Sequence, residues 1–176
     1  MELKEILDEK IIDLHVAGNN KDEVLHNLSK VLYDHGYIDN VDVFIKDIYS
    51  REAEGPTGMG SELSIPHGKS SAAKKISIAI GRTMNPIRWE SSMDPSGFQS
   101  TDLIFLFCVS ANQSFAQNHM LLLSQLAGKL GNESRIEQLR ECKTAKEMID
   151  TITCDDSALQ HHACSREQIV DLDINL

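Results

Sequence analysis

Polar and apolar positions along this chain follow two periods, and the places where one gives way to the other mark the elements. Leu3, Ile6 and Leu7 predict a short opening helix. Ile12, Leu14 and Val16 then alternate with Asp13 and His15, as in a half-buried strand. Asn20 with Glu23 forms a helix-start pair, and Val24, Leu28, Val31 and Leu32 make the stripe that follows, up to a stop at Gly36. A second helix is predicted from Asp39, with Val41, Phe44, Ile45, Ile48 and Tyr49 on one face and Arg51 continuing that face at the helix end. The segment from Gly55 to Gly60 breaks regular structure.

Leu63 to Pro66 predicts a short strand that ends at His67. Ile76, Ile78 and Ile80 predict another, Pro86 to Trp89 a further short one, and a polar loop runs on through Gly97. Leu103 to Val109 is apolar at every position, which is the mark of a strand covered on both faces. After a polar turn, a helix is predicted from about Asn118 to Leu130, with His119, Leu122, Leu123, Leu126, Ala127 and Leu130 sharing a face and His119 in the first turn. Ile136 and Leu139 mark a short helix, and Thr144 with Glu147 caps a last one through Ile152. Helices interleaved with strands at this spacing predict an α/β/α sandwich: a mixed central sheet with helices on both faces. Residues 1–152 form the expected domain, and 153–176, more polar, the expected tail or linker.

A length of 176 residues suits one domain, and the formal net charge of −10 argues against nucleic acid as a ligand, because phosphate backbones would repel the chain. The acidity suits a basic protein partner or simple solubility. No apolar run is long enough for a membrane span, and MELKEILDEK lacks the basic start and apolar core of a signal peptide. The four cysteines show no CxxC spacing, so reduced thiols in a cytoplasm are expected.

The candidate chemistry concentrates between Ser50 and Lys69. His67 stands at a strand end beside Gly68, where a neutral imidazole is open to a reaction partner, although an ordinary loop histidine has the same context. His119, at a helix start, is placed for an anion or for burial at the edge of the core. Arg51 is placed for a phosphate or for pairing with Glu52 or Glu54. Thr57 offers a hydroxyl to a phosphate, and the GPTGMG loop lacks the lysine and hydroxyl of a Walker loop. A zinc site from Cys154, His161, His162 and Cys164 fits no standard spacing, and neither HExxH nor GxSxG occurs.

Taken together, Arg51-Glu52, the run T-G-M-G-x-x-L-S-I-P-H-G-K and the helix N-H-M-L-L-L-S-Q-L-A resemble the fructose/mannitol-type (type 2) enzyme IIA domain of the bacterial phosphoenolpyruvate-dependent sugar phosphotransferase system. The similarity spans roughly Leu3 to Ile152. It implies that His67 is phosphorylated by phospho-HPr and passes the group to a cysteine of enzyme IIB, which serves a membrane enzyme IIC. It also implies that His119 and Arg51 complete the site, that Gly58, Gly60 and Gly68 with Thr57 lie at the partner or phosphate contact, and that no metal or cofactor takes part. The nitrogen-related branch of the same fold implies an alternative, a regulatory module that binds protein targets according to its phosphorylation. Two positions depart from the family pattern. Glu62 stands where glycine is frequent and would add negative charge near the site, and Ser64 stands where alanine is frequent.

Overall fold

In the computed structural model, which describes residues 2–111 and 116–159, the sheet is built around one strand whose two faces belong to two different cores. This strand, β6 (Phe98–Ser110), turns Leu103, Phe105, Phe107 and Val109 to one side and Ile104, Leu106 and Cys108 to the other, all fully buried. Side chains alternate across a strand, so an unbroken apolar run is what a doubly covered strand requires. The first face is covered by α3 (Ala116–Leu130), α4 (Glu133–Glu141) and α5 (Ala145–Thr153), together with the opening 3₁₀ turn Leu3–Ile6. The second is covered by α1 (Lys21–Asp34) and α2 (Val41–Glu52). The molecule is therefore an α/β/α sandwich on a mixed sheet.

The remaining strands are β1 (Ile12–Val16), β2 (Gly58–Gly60), β3 (Leu63–Ser64), β4 (His67–Ser70) and β5 (Ser77–Glu90). Their order is β1-β5-β6-β3-β2, and β4 pairs with β6 just beyond β3. Among these strands the β5–β6 and β2–β3 pairings are antiparallel and the others parallel. β3 and β4 are two halves of one edge interrupted by Ile65-Pro66. Leu63 is in register with Leu103, and His67 with Phe107. Proline has no N–H to give the ladder, so its place on an edge is the tolerated one, and its carbonyl still accepts from the Phe107 N–H at 2.9 Å.

Several expectations shift. The two short strands expected around Ile78 and Pro86–Trp89 are a single strand, β5, whose register with β6 breaks between Arg82 and Ile87; the irregularity is where Pro86 fits. β6 begins at Phe98, because its first residues pair across that hairpin although their pattern is polar. The opening helix is a 3₁₀ turn, and α2 starts after an Asn40 cap rather than at Asp39. Packed structure continues beyond Ile152. α5 reaches Thr153, residues 156–159 add a helical turn, and Leu159 is fully buried. Residues 160–176, including His161, His162 and Cys164, lie outside the described residues.

Two arginines tie helix ends to this frame. Arg82 on β5 reaches the carbonyls of Leu139, Arg140 and Cys142 at the end of α4. Arg135 is fully buried and donates to the carbonyls of Lys129, Thr151 and Cys154 and to the Asp156 carboxylate at 3.0 Å. A cation among the carbonyl ends of helices opposes their negative dipole ends and satisfies acceptors that the helices leave open.

The departure at position 62 has a backbone explanation. Ser61 and Glu62 have φ of 52° and 63°, and they form the two-residue turn that joins β2 to β3. Positive φ at both central positions marks the type I′ hairpin turn, and glycine adopts it without strain. Glu62 tolerates it beside Arg140, whose guanidinium stands 3.9 Å from the carboxylate and also donates to the Ser61 carbonyl. Ser64 is likewise provided for: its buried hydroxyl pairs with that of Thr101 at 2.8 Å.

Two stability predictions follow from these contacts. Arg135→Ala strands several buried carbonyls and lowers the unfolding free energy by about 3 kcal/mol, measured by urea denaturation. Glu62→Gly is neutral or stabilising by up to about 1 kcal/mol. A clear fall in melting temperature for that variant would mean that the Arg140 pairing outweighs the turn strain.

Candidate active site

Three elements converge on a cleft of about 420 Å³. The C-terminal half of α2 supplies Asp47, Ser50 and Arg51, with Glu54 just beyond the helix. β4 supplies His67, Gly68 and Lys69, and the start of α3 supplies His119. Positions 47, 50, 51 and 54 fall on one face by helical spacing, and 67 and 69 fall on one face by strand alternation.

Gly68 makes the convergence possible. It is turned toward α2, and a Cβ built on it would stand 2.9 Å from the Asp47 carbonyl oxygen. A backbone neighbour cannot rotate away, so only glycine allows α2 to lie this close to β4.

His67 is held in one tautomer. Its Nδ1 lies 2.8 Å from the Ile65 carbonyl oxygen. A carbonyl only accepts, so Nδ1 carries the proton and donates it, and Nε2 keeps the lone pair. Burial, the largest effect, pushes the His67 pKa below the usual imidazole value; the Ile65 hydrogen bond opposes it, the nearby Arg51 charge adds to the lowering, and Glu52 offsets a little of it. The ring is therefore neutral at neutral pH, with Nε2 available as a nucleophile.

His119 is 7% exposed, and neither ring nitrogen has a hydrogen-bond partner among the described residues. Its ring centroid stands 6.3 Å from that of His67 and 5.4 Å from that of Phe107, the residue in register with His67 on β6. Burial first, then His67 and Lys69, lower its pKa as well. A buried imidazole with both nitrogens unmatched is costly unless a ligand completes it. Arg51 is only partly committed: Nη1 donates to the Gly55 carbonyl at 3.1 Å, and Nε lies 4.0 Å from the exposed Glu54 carboxylate. One neutral nucleophilic nitrogen, an imidazole unmatched among the described residues and the Arg51 guanidinium thus line a common space, an arrangement that suits an oxyanion transferred to Nε2.

Thr57, Gly58 and Gly60 do not line this cleft. Thr57 is buried, its hydroxyl donating to Glu52 and accepting from the Trp89 indole N–H at 3.0 Å, so it is not open to a phosphate. Gly58 sits where a Cβ would be 2.7 Å from the Glu90 carbonyl oxygen and 2.8 Å from the Gln99 side chain, and the Gly60 N–H donates to that same side chain. Both glycines serve close packing and turn geometry on the β2 edge. Glu62 also points elsewhere, into a separate cleft with Glu133, Ile136, Glu137 and Arg140, so its charge is not spent on the histidines. Asp47, Ser50 and Lys69 carry no role in the sequence reading, and Glu54 only that of a partner for Arg51, although their spacing from Arg51 and His67 places all four at the cleft.

Among the described residues no cluster of three or more histidine, cysteine or acidic side chains is placed to hold a metal ion. Nor is any described helix long and apolar enough to cross a membrane.

Glu52 anchors the end of α2 from behind. It accepts from Thr57 and, at 2.8 Å, from the Lys21 ammonium. Lys21 also reaches Glu90 at 2.6 Å and lies over the Trp89 ring at 4.9 Å. The residue next to Arg51 is therefore fixed to α1 and β5 at once.

Comparison with known proteins places the chain in a family. The model for "Phosphoenolpyruvate-dependent sugar phosphotransferase system, EIIA 2" matches residues 5–154. The fructose-like EIIA component of Escherichia coli K12 is 28% identical over 133 residues, covering 76% of this chain and 86% of that protein. The 2-O-alpha-mannosyl-D-glycerate-specific EIIABC component of the same organism is 27% identical over 152 residues, covering 86% of this chain; the chain spans only 22% of that longer protein. Among solved structures, the nitrogen regulatory protein IIA-Ntr of Neisseria meningitidis superposes with a TM-score of 0.74 at 28% identity, covering 86% of this chain and 99% of that one. With the matched family model running through nearly all the described residues, this chain belongs to the EIIA 2 family of the phosphoenolpyruvate-dependent sugar phosphotransferase system.

Proposed function

We propose that this chain is a cytoplasmic phosphohistidine carrier, a phosphotransferase component of sugar uptake. In this reading His67 takes the phosphoryl group from phospho-HPr and passes it to a cysteine of an enzyme IIB, which serves a membrane enzyme IIC. The observation that carries it is the tautomer of His67: the Ile65 carbonyl holds the proton on Nδ1 and leaves Nε2 as the reacting atom inside a cleft that also holds Arg51 and His119.

The Nε2 lone pair attacks phosphorus, the donor's N–P bond breaks, and its electron pair returns to the donor nitrogen. The proton stays on Nδ1, donated to the Ile65 carbonyl, throughout. Phosphoryl transfer passes through a loose transition state with charge on the equatorial oxygens, so the site's task is positioning and charge stabilisation. Arg51 neutralises those oxygens, and His119 gives one N–H to them, which completes its otherwise unmatched ring. Delivery to the cysteine reverses the geometry: the thiolate attacks phosphorus and Nε2 leaves as neutral imidazole.

A second reading is favoured by one observation, the likeness to a nitrogen regulatory IIA protein. Here the same phosphorylation switches binding to protein targets. Complementation of a sugar-uptake mutant separates the two: growth restored supports transport, whereas a regulatory phenotype without uptake supports the switch.

With phosphoenolpyruvate, enzyme I and HPr, the chain gains acid-labile, base-stable phosphate, and His67→Ala gains none; equal labelling of that variant would sink the assignment. Because burial and Arg51 hold the imidazole below its ordinary pKa, the labelling rate stays flat as pH falls through 6.5 and drops only below it. Arg51→Gln removes a charge that opposes protonation, so the inflection moves up in pH while the rate at neutral pH falls about a hundredfold. Gly68→Ala forces α2 off β4; stopped-flow transfer from phospho-HPr slows at least about tenfold and stability falls by about 1–3 kcal/mol.

A further inference from the structure

We propose that Lys69 is the second cation of the phosphoryl site: its ammonium closes onto the phosphoryl oxygens carried by His67 and makes the phosphorylated form easier to hold. The inference rests on the carrier function proposed for His67.

Geometry places it there. Lys69 lines the same cleft as His67 and His119. It is two residues beyond His67 on β4, and Gly68 between them is turned to the opposite side, against α2. Alternate residues on a strand share a face and stand roughly 7 Å apart, within the reach of a four-carbon stem. β4 pairs only with β6, so the lysine leaves an edge of the sheet with open space over the cleft. Its side chain is exposed, and its ammonium has no hydrogen bond or ion pair among the described residues. Nothing described competes for it.

Charge gives the reason. A phosphoryl group brings about two negative charges near neutral pH. The α2 wall of the cleft already carries Asp47 and Glu54, and Arg51 is partly engaged by Glu54 and by the Gly55 carbonyl. Both histidines are neutral there, since burial pushes each below its ordinary pKa. Arg51 alone would have to offset two carboxylates and the incoming group. Lys69 is the other cation on the cleft wall, and a flexible ammonium with three rotatable donors can follow the phosphoryl group as it arrives and leaves. Arg51, tied at the helix end, fixes the direction of transfer; Lys69 supplies charge.

The test compares wild type, Lys69→Met and Lys69→Arg, each phosphorylated by phosphoenolpyruvate, enzyme I and HPr and followed by ³¹P NMR. The His67 signal is the one lost in His67→Ala. In Lys69→Met the phosphoryl group's second pKa rises by about half a unit or more, the effect of one charge at contact even in watery surroundings. The equilibrium between phospho-HPr and the phosphorylated chain shifts back by about threefold, the same quantity expressed as a ratio. Lys69→Arg restores both. If Lys69→Met slows labelling yet leaves the ³¹P titration and the equilibrium at wild-type values, the lysine merely recruits the donor protein and the proposal is wrong. If wild type takes no label from phospho-HPr, the carrier function fails. Potassium phosphoramidate then labels His67 chemically, and the ³¹P titration still decides whether Lys69 touches the phosphoryl group.

Discussion

The contact that organises the site is the close approach of the α2 backbone to Gly68, where a Cβ would meet the Asp47 carbonyl at 2.9 Å. Helices normally stand off a sheet by the thickness of their side chains; here one chain position has none, and the helix settles onto the strand. That contact brings Arg51, one turn beyond Asp47, to the cleft that His67 opens. The Glu52–Lys21–Glu90 ion pairs hold the same helix end from the other side. Rigid backbone on one side and a half-buried ionic anchor on the other leave Arg51 little freedom to drift. A site that stabilises charge by position needs that fixity, because a cation that must reorganise at the moment of transfer loses most of its effect.

A second constraint is the interruption of the sheet edge at Ile65-Pro66. A continuous strand would have committed the Ile65 carbonyl to ladder pairing. The break instead lets it accept from the His67 ring two residues on, while the Pro66 carbonyl takes up the β6 ladder through the Phe107 N–H. The tautomer of His67 is thus a consequence of where a proline sits. The same register sets Phe107 beside His67, and Phe107 in turn packs against the ring of His119. The two histidines, separated in sequence by a strand pair and a loop, meet over one side chain of the central strand.

Much of this was legible in the residues, and the misses share a cause. Leu103–Val109 declared a doubly covered strand because both of its faces are apolar. His119 was legible as an inward residue by its helical spacing to Leu122 and Leu126. Arg82, Met84, Asn85 and Pro86 interrupt the alternation of β5, so its pattern predicts two strands; in the fold that stretch is where its register shifts, and Met84 and Asn85 are exposed. Thr57 was read as a phosphate contact because GPTGMG resembles a flexible loop. Its hydroxyl is instead spent between Glu52 and the Trp89 indole, partners that lie five and more than thirty residues away and leave no local signature. Periodicity reports which way a residue points within its own element. It is silent on which distant group will satisfy a buried hydroxyl.

The two departures from the family pattern belong to that silent category, and they show how a fold absorbs substitutions that local rules disfavour. Glu62 takes a positive φ that glycine would occupy without strain, but Arg140 is already held nearby by Asp102 at 3.1 Å and offers it a counter-charge. Ser64 buries a hydroxyl at a position suited to a methyl, but Thr101 faces it across the sheet, and Gln99 continues the chain of polar groups to Thr101 and the Leu63 carbonyl. Each substitution is matched by a partner on β6 or α4, among residues that do not line the histidine cleft. The edge strand therefore divides the work along its length: β3 accommodates sequence change through cross-strand partners, while β4, with His67, Gly68 and Lys69, presents the cleft. A charge introduced at position 62 is neutralised within its own half of that edge, and the net acidity of the chain coexists with a cleft in which the cations, Arg51 and Lys69, stand on opposite walls around neutral imidazoles.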